Sequence, residues 1–197
     1  MDIQTLNNLA GVVDYQRRYN EAESIYREAL GIQLRLLGDN HDRVVLTRTS
    51  LANMFWTSGD YANGELMARA ALVGAEKGLP AGHPLTAYAH MVLGQSLSDA
   101  GRASEGEAHL RTALEMRRKI LPAGHWLLAN TENVLGGCVA AQRRYAEAEA
   151  LLVPSYRWLL ADRGPNHDKT RDARRRIATL YAAWGKRDLA ARFAGEP

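Results

Sequence analysis

Four histidines, His41, His83, His125 and His167, recur at a fixed interval of 42 residues. A beat of this length, kept along the whole chain, confines the fold to a stack of similar supersecondary units. Each unit must bury its apolar face against the next, so repetition decides the architecture before local propensity is read. Other columns keep the same time. Leu9, Leu51, Leu93, Leu135 and Ile177 share one phase, and each is followed by a small residue: Ala10, Ala52, Gly94, Gly136 and Ala178. A second small column holds Ala22, Gly64, Gly106, Ala148 and Ala190. The chain reads as four helical-hairpin units and most of a fifth, at about residues 1–42, 43–84, 85–126, 127–168 and 169–197.

Residues 86–121 show one unit in full. Tyr88, Leu93 and Leu97 recur at roughly helical spacing up to Ala100-Gly101-Arg102, where the glycine predicts the end of a first helix. Ser104 then offers an N-cap with Glu107 three residues on, the spacing of a capping box. The second helix is expected to run through Leu110, Ala113, Leu114 and Met116 to about Ile120, before Pro122 and Gly124 punctuate the turn to His125. Gly59-Asp60-Tyr61 and Gly185-Lys186-Arg187 follow the same grammar. The prediction is an all-α, right-handed α-solenoid of antiparallel helix pairs, with first helices near 3–16, 43–58, 85–100, 127–142 and 169–184.

The small columns belong where helices cross closely, since a larger side chain there would overpack at a cost of ~1–3 kcal/mol. Tyr19, Tyr61 and Tyr145 recur at the hairpin turn and are expected to wedge between the two helices. Pro154 falls inside the second helix of unit four and is expected to kink or interrupt it. In unit five the second helix should be short, from Asp188 to about Ala194, stopping at Gly195-Glu196-Pro197 as a C-terminal end. Ile3, Leu6 and Leu9 start a packing face at once, so a cover is expected from upstream repeats, another domain or self-contact.

Chemistry is harder to find. The single Cys138 excludes an internal disulfide. No apolar run has membrane-spanning length and MDIQTLNN lacks a signal layout, so a cytoplasmic setting without membrane contact is expected. Metal ligation needs donors converging within ~2–2.5 Å of one ion. Stacked units hold equivalent residues a helix-pair width apart, so the histidine column points to the inter-repeat turn and not to a metal site. His90 and His109 stand alone in the sequence. The chain has no Gly-rich phosphate loop, HExxH, CxxC or nucleophile elbow. Glu21/Glu23, Glu105/Glu107 and Glu147/Glu149 recur in register, as helix-start residues facing the N-terminal dipole would, and not once in one cleft as an acid/base pair would. No enzyme and no cofactor are expected.

Residues 1–98 carry 8 basic and 10 acidic side chains, and residues 99–197 carry 17 and 12, with a peak at Arg171, Arg174, Arg175 and Arg176. This excess suits a solvated terminal face or an acidic partner segment. Nucleic acid is not expected, because the net charge is only +3 and no basic stripe interleaves with aromatics.

The segments LNNLAGVVDYQRRYNEAESIYREAL (residues 6–30), LGDNHD (37–42), LPAGHP (79–84), YAEAEALL (145–152) and GPNHDK (164–169) resemble the tetratricopeptide repeat. The likeness is to its 42-residue variety in kinesin light chains and many bacterial proteins, and it covers essentially the whole chain. An ordinary repeat has roughly 34 residues, so the extra residues are expected to lengthen the second helix. The ending TRDARRRIATLYAAWGKRDLAARF also resembles the closing repeat that follows bacterial serine/threonine kinase domains.

The resemblance implies a concave face lined by first helices that accepts an extended peptide or a partner helix. It places Asn7, Asn8, Gly11, Asp14, Asn53, Trp56, Tyr88, Gln95, Asn130, Asn133, Arg175 and Arg176 on that face. Carboxamides there can meet both the donor and the acceptor of an extended backbone. Trp56 is the expected aromatic anchor, and Arg175 and Arg176 would favour acidic residues at the far end. The function expected is a non-catalytic protein-interaction scaffold. The alternative is a regulatory or sensor segment of a larger enzyme such as a bacterial kinase. A peptide-responsive transcription regulator would need a DNA-binding helix-turn-helix, and none is visible.

Overall fold

The computed structural model describes residues 3–195, which are helical apart from short turns. Ten helices follow in order: α1 (Ile3–Tyr15), α2 (Tyr19–Leu37), α3 (Asp42–Ser58), α4 (Tyr61–Gly78) and α5 (Pro84–Asp99). Then come α6 (Ala103–Ile120), α7 (Trp126–Ala141), α8 (Tyr145–Arg163), α9 (Asp168–Ala183) and α10 (Arg187–Gly195). Odd-numbered helices are the first of each pair, and each packs on its partner and on the next pair, giving an α-solenoid. The second helices α2, α4, α6 and α8 have 18 or 19 residues, longer than any first helix. Glu196 and Pro197, part of the expected stop, lie outside the described residues.

Both small columns sit where a hairpin closes. A Cβ on Gly94 would stand 2.7 Å from the Gly106 carbonyl oxygen, and one on Gly106 would stand 2.5 Å from that of Gly94. The histidine column does one job at every joint. His41, His83, His125 and His167 are N-caps, and each Nδ1 accepts the backbone N–H two residues on at 3.2 Å. This satisfies an otherwise orphaned helix donor and, at His83, His125 and His167, places the ring proton on Nε2. At His41 the Asp42 Oδ1, 2.7 Å from Nδ1, shares the Arg43 N–H.

The hairpin turns form another column. Gly59, Gly101 and Gly185 are left-handed there, and Arg17 and Arg143 occupy the same register with φ of 61°. Units one and four therefore hold a side chain in a conformation that costs an L-residue ~1–2 kcal/mol.

Three local expectations change. Helix α6 begins at Ala103 with Arg102 as its N-cap residue, so Ser104 and Glu107 form no capping box. The left-handed Gly101 starts the helix two residues earlier, and the Arg102 carbonyl already accepts from Gly106 N–H at 3.0 Å. Pro154 does not interrupt α8, which runs unbroken to Arg163. The proline is exposed, and the Ala150 carbonyl that it leaves without an N–H is on an exposed residue too, open to solvent. His90 and His109 are not isolated: their Nδ1 atoms approach to 3.0 Å across the α5–α6 hairpin.

Charges tie the units together. Arg102 bridges to Glu65 at 2.5 Å, Arg144 to Glu107 at 2.6 Å and Lys186 to Glu149 at 3.5 Å, one contact at three successive joints. Arg69–Glu105 and Arg111–Glu147 add a second rung at two of them. Burial pushes the Glu107 carboxyl up, but hydrogen bonds from Gln142, Arg111 and Arg144 outweigh it and hold the group below its ordinary value. At the first joint the ladder is missing, because Asp60 stands in the basic column and caps α4 through Asn63 N–H instead. The apolar core divides within unit two, not at this joint. Ala10, Val13, Ala22 and Tyr26 cluster with Leu51, Met54 and Phe55, apart from the cluster that runs through units two to five.

Three stability outcomes follow. Gly106→Ala should lower unfolding free energy by ~1–3 kcal/mol in urea, whereas Arg143→Gly should raise it by up to ~1 kcal/mol by relieving the left-handed residue. Burial, with His109 beside it, holds His90 down at about 4. The folded state therefore binds this proton less readily than the unfolded chain does. Stability present above the ordinary value of 6.5 should be lost as pH falls towards 4, and His90→Gln should flatten part of that slope in pH-dependent urea melts.

Candidate functional site

The first helices turn one face inward, and their side chains border two adjoining cavities. The upper cavity, about 570 Å³, takes Trp56 from α3, Gln95 and Asp99 from α5, Gly137 and Cys138 from α7, and Arg175 and Arg176 from α9. The lower cavity, about 380 Å³, takes Asn53, Tyr88 and Asn130, with Leu85 and Trp126 as apolar walls. The stack curls far enough for Asp14 and Arg17 of unit one to border a further 790 Å³ space with Asp172 and Arg175 of unit five.

The expected groove residues fall into two groups. Asn53, half-buried, and Gln95, only 7% exposed, occupy the same register of consecutive first helices and line the cavities, with no hydrogen-bond partner among the described residues. Trp56 is half-buried, its ring on the upper cavity and its Nε1–H donating to Asp99 Oδ2 at 2.6 Å. Tyr88 is half-buried, and burial pushes its phenol up to about 12.

The other asparagines are already engaged. Asn7 accepts from Thr47 Oγ1 at 3.1 Å, and the exposed Asn8 accepts from Gln4 at 3.2 Å. Neither borders the two cavities. Asn130 is buried and donates to Met91 Sδ at 3.7 Å. Asn133 is fully buried. It donates to Ser155 Oγ at 3.2 Å and accepts from Arg176 Nη1 at 2.9 Å, so it positions the arginine and cannot itself meet a ligand.

The arginine run is also largely paired. Arg171 bonds to Asp168 and Arg175 to Asp172, while burial pulls the Arg176 guanidinium down. With Asp99 and Asp172 on its wall, the upper cavity is mixed in charge.

Sequence reasoning missed two side chains. Tyr26, on α2, reaches through to within 3.7 Å of where a Gly11 Cβ would stand, so the glycine leaves room for it. Arg117, on α6, reaches the lower cavity from a second helix. The signal for Tyr26 was the absence of a side chain at Gly11. For Arg117 it was a charge in the column Gln33, Ala75, Arg117, Leu159.

The tetratricopeptide repeat model matches residues 2–77 and 127–196, and a second tetratricopeptide repeat model matches residues 86–127. The chain belongs to the tetratricopeptide repeat family. No curated protein sequence matches it. Among solved structures, the nearly identical TPR-like repeats of a candidate kinesin light chain from Podosopora anserina are 18% identical. They have a TM-score of 0.73, over 98% of this chain and 91% of that one. A Rap protein complexed with Competence and Sporulation Factor is 18% identical with a TM-score of 0.79, over 95% of this chain and 50% of that one. YrrB, a TPR protein with an unusual peptide-binding site, is 16% identical with a TM-score of 0.51, over 98% and 82%. At these identities the likeness carries the fold.

Within the tetratricopeptide array the groove floor is closed. Cys138 is 2% exposed, its thiol donates to the Ala103 carbonyl at 3.1 Å, and burial pushes its pKa up. The thiol should therefore react with a disulfide reagent at pH 8 only as fast as the array opens, and at once in urea. Immediate reaction of the native protein would show an open floor.

Proposed function

We propose that the chain is a non-catalytic interaction scaffold that holds an extended peptide or partner segment in the groove of its first helices. One observation carries the reading: Asn53 and Gln95 present unspent carboxamides, in one register of neighbouring helices, to cavities that also hold Trp56 and Tyr88. An extended backbone offers a donor and an acceptor per residue, and two stepped carboxamides can meet both. The peptide complex of the Rap protein and the peptide site of YrrB, on the same fold, lend support by analogy. The array is read as one binding unit in a cytoplasmic setting, with no cofactor in its action. Self-association through unit one is a further reading, supported by Leu9, Val12 and Tyr15 at 39%, 55% and 75% exposure. Sedimentation velocity at rising concentration tests it.

The direct experiment is affinity capture with the full chain, followed by a comparison of Trp56→Ala. Loss of the anchor should weaken the captured partner by ~2 kcal/mol or more while shifting the melting temperature little, since Trp56 is half-buried and bonded only to an exposed aspartate. A large fall in melting temperature, or unchanged affinity in the folded variant, would sink the anchor role. Failure to capture any protein or peptide would count against the scaffold.

A further inference from the structure

The lower cavity contains a charge that the fold leaves uncompensated. Arg117 is 4% exposed and occupies a core column that holds Ala75 and Leu159 in the neighbouring units. Its Nη1 meets only neutral acceptors: Thr131 Oγ1 at 2.5 Å, the Leu127 carbonyl at 3.3 Å and Met91 Sδ at 3.3 Å. Its Nε and Nη2 have no acceptor among the described residues, and no described carboxylate pairs with it. The next two residues behave differently, Arg118 pairing with Glu132 and Lys119 with Glu115, each at 2.8 Å. Buried charges in folded proteins are as a rule paired, because desolvation penalises them heavily. Burial accordingly pulls the Arg117 pKa down to about 10.

The surroundings are built for an anion with an apolar body. The cavity of about 380 Å³ above Arg117 has Lys169 at its border and no acidic residue in its lining. Leu85, Leu121 and Trp126 make apolar walls, and Arg163 covers the Trp126 ring at 4.8 Å.

We infer that this cavity is a binding site for a carboxylate joined to an apolar group, the carboxylate on the free edge of the Arg117 guanidinium and the apolar part against Leu85 and Trp126. It deepens the scaffold reading and rests on it for the source of the ligand: a chain end with an apolar last residue and an internal acidic residue offer the same chemistry. Two parallel N–H donors fix a carboxylate in plane, and the apolar walls strengthen the contact by excluding water.

The test uses the full chain and three probes in a calorimetric or NMR titration: N-acetyl-leucine, N-acetyl-leucinamide and N-acetyl-glutamic acid α-amide. Wild type should bind an acid about ten-fold or more tighter than the leucinamide, as a charge-assisted bond requires. Preference for N-acetyl-leucine marks a chain end, and preference for the glutamate probe marks an internal acidic residue. Arg117→Met should abolish the preference for acid and leave the melting temperature unchanged or higher, since an apolar side chain suits this column. Should that variant fail to fold, Ile120→Glu, at a position 39% exposed on the cavity border, should weaken both acids and leave the amide unchanged. Equal affinity of wild type for acid and amide, or no binding of either acid, would overturn the inference. So would an Arg117→Met variant that folds and keeps the preference. Trp56→Ala separates the two readings: a partner lost with Trp56 while the lower cavity ignores carboxylates would refute this site and spare the scaffold. Acid binding without any captured partner would do the reverse.

Discussion

The approach of backbones inside each hairpin governs everything else in this molecule. Gly94 and Gly106 bring α5 and α6 so close that a single added methyl would stand within 3 Å of a facing carbonyl. Only at that distance do the flanking leucines of both helices reach one another. Leu93, Leu97 and Leu110 are fully buried as a result. Where the column holds alanine, as at Ala52 and Ala148, the helices still meet with both methyls inaccessible to solvent. The pitch of the stack, and hence the shape of the groove, follows from how near two helices can lie.

Joints between hairpins obey a different economy. A histidine Nδ1 replaces the usual hydroxyl or carboxylate cap, so helix starts in four units share one geometry despite two kinds of loop. Units one and four end their second helices at the left-handed Gly38 and Gly164, while units two and three run through Leu79 and Leu121 to the left-handed Gly82 and Gly124. Each route delivers the next histidine in register. The same pairing of units places arginine at the hairpin turn in one and four and puts glycine there in two and three.

What recurs was legible in the sequence, and what does not recur was not. First-helix starts and packing columns announced themselves because successive units repeat the same side chains, and first helices lie within a residue of their expected ends. The groove is where units differ, so periodicity gives a position there but no role. Asn133 and Asn53 both fall on the inner face by register, yet one is locked between Ser155 and Arg176 and the other is open to a cavity. That difference depends on whether a partner of the right length stands opposite, which no spacing reveals. Arg117 escaped for a related reason: inner-face reasoning considers first helices, and this side chain enters from a second. The His90–His109 contact joins residues on opposite arms of a hairpin and leaves no periodic trace.

The missing rung at the first joint has a mechanical meaning. From unit two onward, neighbours are tied by a shared apolar cluster and by repeated charge pairs. Unit one is joined to unit two by a smaller cluster that takes in Leu51, Met54 and Phe55 of α3, by the Asn7–Thr47 contact and by the Asp39–Arg48 ion pair at 2.5 Å, while Asp60 turns its carboxylate to capping. A cap of this kind is worth ~1 kcal/mol, against ~0.2–1 for an exposed ion pair, so local helix stability gains what the joint gives up. The first joint is therefore held mainly by apolar packing, and salt, which screens exposed ion pairs, would slacken the laddered joints more than this one.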